Sequence, residues 1–60
     1  MKIGDLVKWV WSRNASWLAI VLDDQEEDEY GTAVMLVQWV TGKYIGEEEF
    51  IAVEELEVIA

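Results

Sequence analysis

Apolar and polar residues alternate from Leu6 to Trp11, putting Val7, Trp9 and Trp11 on one face and Leu6, Lys8 and Val10 on the other. A period of two is the signature of a strand, whose successive side chains point to opposite faces. Trp17 to Leu22 is continuously apolar and rich in large or β-branched residues, which predicts a second strand after a turn over residues 12–16. The acidic segment from Asp23 to Glu29 then reads as a loop. Val34 to Val40 carries the strongest alternation, with Met35, Val37 and Trp39 inward and Val34, Leu36, Gln38 and Val40 outward. Thr41-Gly42 predicts a tight hairpin turn, because glycine takes the positive φ such turns need. A fourth strand follows from Lys43 to Phe50. Ala52 to Leu56 is too short for a stable α-helix and predicts one turn of 3-10 helix before a short last strand, Glu57 to Ile59.

These elements predict an all-β chain, a five-stranded small barrel with one short 3-10 turn before the last strand, forming a single domain over residues 1–60. In a single-layer barrel one face of each strand meets the core and the other meets water. Three strands are nevertheless apolar on both faces, which leaves Leu6 and Val10, one alternate set within Trp17 to Leu22, and Val34, Leu36 and Val40 outside. Large apolar patches on small domains mark interfaces, and a second copy is the simplest cover. Leu6, Val10, Val34, Leu36 and Val40 are therefore the expected homo-oligomer interface. Trp39 belongs to the inward set and is expected in the core, where an indole contributes most. A barrel this small has room for one or two indoles, so at least one of Trp9, Trp11 and Trp17 is expected at the surface. Trp11 and Trp17, with Tyr44, are the expected partner-binding patch, since exposed indoles and phenols anchor interfaces. A cage of such rings around a methylated lysine is the sharper version of that patch, and it requires rings that converge on one cation.

Composition narrows the function. The 60 residues hold 13 Asp and Glu against 4 Lys and Arg, for a net charge of −9. Phosphate backbones are repelled by such a chain, and Lys2, Lys8, Arg13 and Lys43 are too scattered to make a basic patch, so direct nucleic-acid binding is not expected. Six acids lie between Asp23 and Glu29, but their spacing does not match a calcium loop, which needs alternating ligands and a Gly at the sixth position. No metal site and no cofactor are expected. With neither His nor Cys, and too little chain for a catalytic cleft, an enzyme is not expected either. The longest apolar run is far short of the ~20 residues that span a bilayer, and Lys2-Ile3-Gly4-Asp5 opens without a secretory signal. The expectation is a cytoplasmic protein with no membrane partner.

Gly4-Asp5-x-Val7 at the first strand, Val37-x-Trp39 followed by Gly42, and Glu55-Leu56-Glu57-Val58-Ile59 at the end resemble the SH3-like small barrels, the Tudor and KOW group among them. The resemblance covers nearly the whole chain and extends to short uncharacterised SH3-like proteins of tailed phages, which implies the cytoplasm of an infected host. The ending is also similar to that of the photosystem I accessory subunit and the ferredoxin-thioredoxin reductase variable chain. Those proteins dock ferredoxins, which are acidic and would be repelled here, so that likeness implies fold rather than partner. The expected function is a noncatalytic protein-interaction module that self-associates. The alternative is an acidic nucleic-acid mimic that blocks a basic host protein.

Overall fold

The computed structural model describes residues 1–11 and 17–60. The turn expected over residues 12–16 lies outside the described residues. The described chain is all-β, with six strands, β1 (Leu6–Trp9), β2 (Leu18–Val21), β3 (Glu26–Glu27), β4 (Ala33–Trp39), β5 (Glu48–Ala52) and β6 (Leu56–Val58), and one 3-10 turn, Val53–Glu55. All pairings are antiparallel. β4 lies at the centre, with β5 on one side and both β2 and β3 on the other; β2 in turn pairs with β1, and β1 with β6. Among the described residues β5 and β6 do not pair with each other, so the sheet is not closed into a barrel by hydrogen bonds. Only the Val53–Glu55 turn separates these two edge strands, and a connection that short brings the sheet ends around toward each other.

Alternation builds the core. Val7, Ala19, Val21, Met35, Val37, Trp39, Ile51 and Leu56 are all buried, and each lies at an inward position of its strand. The registers stack them: Val7 faces Ala19, Val21 faces Val37, Ala19 faces Trp39, and Met35 faces Ile51. Trp39 is 2% exposed, in keeping with its place beside Met35 and Val37.

Three expectations are corrected in detail. The acidic segment is not wholly a loop, because Glu26 and Glu27 pair with Val34 and Ala33 as β3. Ile20 faces Gln38 but Glu26 faces Val34, so the seven residues from Ile20 to Glu26 oppose five of β4. Two extra residues are thus accommodated between Leu22 and Glu26, as in a bulge that separates β2 from β3. The strand expected from Lys43 begins only at Glu48, since a second positive-φ glycine, Gly46 at +87°, lengthens the turn. Gly46 N–H donates to the Trp39 carbonyl at 2.8 Å, closing that loop before the ladder resumes. The first strand ends at Trp9 rather than Trp11. Beyond it, Val10 N–H donates to the Glu55 carbonyl at 2.9 Å and so ties β1 to the 3-10 turn.

Candidate protein interface

Two surfaces gather the residues singled out by the sequence. The first is an aromatic cluster at one end of the sheet. Trp9, Trp17 and Trp39 meet edge to face, with ring centroids 6.0 Å apart for Trp9–Trp17 and Trp9–Trp39 and 5.4 Å for Trp17–Trp39. Offset and T-shaped contacts of this kind set the positive edge of one ring against the negative face of another. Tyr44 extends the cluster, 5.7 Å from Trp17, and Lys43 Nζ lies 5.8 Å from the Tyr44 centroid. The backbone holds the arrangement: Leu18 N–H donates to Thr41 Oγ1 at 2.8 Å, and Gly42, at φ +87°, lies under the Trp17 ring.

The end therefore houses three indoles where the barrel dimensions suggested one or two. It does so because only Trp39 is fully buried, while Trp9 and Trp17 are half-buried and share one another's edges. Trp11 is 69% exposed and Tyr44 44% exposed. Of the expected patch, Trp17 and Tyr44 are in contact. The rings of Trp9, Trp17 and Trp39 pack edge to face on each other.

Carboxylates border this end. Trp39 Nε1 donates to Glu49 Oε2 at 3.1 Å, and Glu47, Glu48 and Glu49 line a shallow cleft of about 300 Å³ with Tyr44. Glu49 pairs with Val37 and so occupies an inward position at the end of β5, where its charge reaches solvent while one oxygen satisfies the indole. Trp9 Nε1 is buried and has no hydrogen-bond partner among the described residues.

The second surface is the outer face of the sheet. Leu6 faces Ile20, which faces Gln38; Leu36 faces Phe50, and Leu22 N–H donates to the Leu36 carbonyl at 2.9 Å. Leu6, Leu18, Ile20, Leu22, Val34 and Leu36 are half-buried there, although they project away from the core. Phe50 is 57% exposed at the edge of that row. Of the expected interface, Leu6, Val34 and Leu36 lie on this face, and Val10 and Val40, 45% and 39% exposed, sit at the strand ends. Lys8 and Glu57 form a 3.4 Å ion pair on the same side, exposed enough to contribute little.

Phe50 escaped the sequence reading, which also leaves Ile20 open as a member of one of two alternate sets between Trp17 and Leu22. Ile20 is hidden in a run that is apolar at every position, so the run itself does not say which set faces outward. Phe50 follows three glutamates, which erase alternation, yet its parity against buried Ile51 marks it as outward.

Among the described residues, no three His, Cys, Asp or Glu side chains converge on a point that could hold a metal ion. No helix is long and apolar enough to cross a membrane. No family model, curated protein or solved structure matches the chain.

Proposed function

We propose that the chain is a noncatalytic protein-interaction module, an SH3-like small barrel that self-associates through the outer face of its sheet. The observation that carries this reading is the outer row Leu22, Leu36 and Phe50, next to Leu6 and Ile20, where one apolar surface continues across four strands with Phe50 57% exposed. That surface belongs to a 60-residue chain with a net charge of −9. Burying apolar area contributes roughly 25 cal/mol per Å², so covering it with a second copy is favourable without any specific polar contact.

Support for the SH3-like fold comes from the order of the strands. The chain runs as a meander through β1, β2, β4 and β5, takes one 3-10 turn, and returns so that the last strand pairs with the first. The aromatic end, where Trp17 lies against the exposed Tyr44, is the second contact surface of the module and the place for a different protein partner.

The reading is tested by replacing Ile20 and Leu36 with Thr, which keeps strand propensity while removing apolar outer surface. Light scattering coupled to gel filtration then measures the mass. The double variant is expected to run at the 6.9 kDa of one chain with an unchanged far-ultraviolet spectrum. A multimer that survives the double substitution rules out the outer face as the contact.

A further inference from the structure

Which part of that surface brings two copies together follows from the parity of β5. Trp39 N–H donates to the Glu47 carbonyl at 3.0 Å, and β5 pairs with β4 in register Val37↔Glu49 and Met35↔Ile51. In an antiparallel ladder hydrogen-bonded pairs recur every second residue, so the backbone groups of Glu47, Glu49 and Ile51 point toward β4. Those of Glu48 and Phe50 point the other way, toward an edge that no described strand covers. Unlike the two-residue β3, this edge runs for five residues, and its central residue is the exposed Phe50.

Resting on the self-association proposed above, we infer that two copies pair antiparallel through the β5 edge, about a two-fold axis at Phe50. Charge selects this register. A two-fold at Glu48 or Glu49 sets a glutamate directly against its own copy, which is destabilising. With the axis at Phe50, Glu49 lies opposite Ile51, Glu48 opposite Ala52, and Phe50 opposite Phe50 of the second copy. Every residue of β5 then has a partner and no two carboxylates are directly opposed. Phe50 N–H donates to the Phe50 carbonyl of the second copy, and its own carbonyl accepts from the Phe50 N–H of that copy, the arrangement of a hydrogen-bonded pair. The side-chain consequence matters as much. The outer row Leu22, Leu36, Phe50 continues into Phe50, Leu36 and Leu22 of the other chain, so two half-exposed rows become one apolar stripe. Being isologous, the contact closes at two copies and leaves no β5 edge for a third.

Two engineered positions and one block test it. The chain has no native cysteine, so a single introduced thiol reports its own copy. Opposed residues in a hydrogen-bonded pair have Cα atoms about 5.5 Å apart, within the range a disulfide spans. Phe50→Cys is expected to cross-link to a dimer under mild oxidation. Glu48→Cys, its copy about 14 Å away along the strand at about 3.4 Å per residue, is expected not to. Glu48→Pro removes an N–H that points away from β4 at the first residue of the strand, where proline is tolerated. It is expected to shift the equilibrium to monomer while the far-ultraviolet spectrum stays unchanged. If wild type is a multimer, but Glu48→Pro remains one and Phe50→Cys does not cross-link, edge pairing is overturned and association through the face alone stands. If wild type is a monomer at all concentrations, both fail.

Discussion

Trp39 is buried at 2% exposure, touches two other indoles, and donates Nε1 to Glu49. Replacing it with Ala removes the largest of the eight core side chains among the described residues and leaves Trp9 and Trp17 without a common neighbour. Phe and Trp truncations in cores cost about 3–5 kcal/mol, comparable with the whole margin of a domain this small. Trp39→Ala is therefore expected to be unfolded or to denature at much lower urea, and an unchanged midpoint would refute the core assignment. Gly42→Val carries two penalties. Its φ of +87° is strained for any β-branched residue, and an added Cβ meets the Trp17 ring at 3.2 Å. A cost of about 1–3 kcal/mol is expected, which at about 4–8 °C per kcal/mol is plain in a thermal melt. Both residues were legible in the sequence, Trp39 because alternation over Val34 to Val40 is unambiguous, and Gly42 because a glycine just past a strand end signals a turn. The packing of three indoles was not legible, since it depends on contacts between residues far apart in the chain.

Elements were readable where hydrophobic pattern decides them and obscure where pairing does. β2, β4 and the 3-10 turn fall where the apolar runs and the short helical segment place them. β3 does not, because two glutamates have poor strand propensity and are held only by their register with Val34 and Ala33. The start of β5 was obscured by Gly46, whose second positive-φ turn no periodicity announces. The acidic strand also sets a prediction. Glu26, Glu27 and Asp28 border Val34 and Phe50 around a shallow cleft of about 350 Å³, so like charges crowd one end of the outer face. Neutralising Asp24→Asn, Glu26→Gln, Glu27→Gln and Asp28→Asn together is expected to leave the fold intact and lower solubility. Asn at position 28 keeps an oxygen where Asp28 Oδ1 accepts from Tyr30 and Thr32 N–H at 2.9 Å, so the turn into β4 survives. Circular dichroism and a precipitation curve check this. Loss of secondary structure would mean that the carboxylates hold the turn rather than guard the sheet.

At the scale of the molecule, hydrophobic cohesion and charge repulsion oppose each other. In the proposed dimer each copy carries −9 and bringing two together raises that density, while the outer row and the β5 edge are proposed to favour association. Salt separates the two effects, because the Debye length falls from about 10 Å at 0.1 M to about 3 Å at 1 M. Screening weakens the repulsion and leaves apolar burial in place. An acidic mimic of nucleic acid would behave in the opposite way, holding a basic partner at low salt and releasing it at high salt. The most direct test of the central claim is sedimentation equilibrium of the wild-type chain across a concentration series at both salt levels. A mass above 6.9 kDa at micromolar concentration, unchanged or larger at high salt, is the predicted result. A single 6.9 kDa species at every concentration and both salt levels would contradict it.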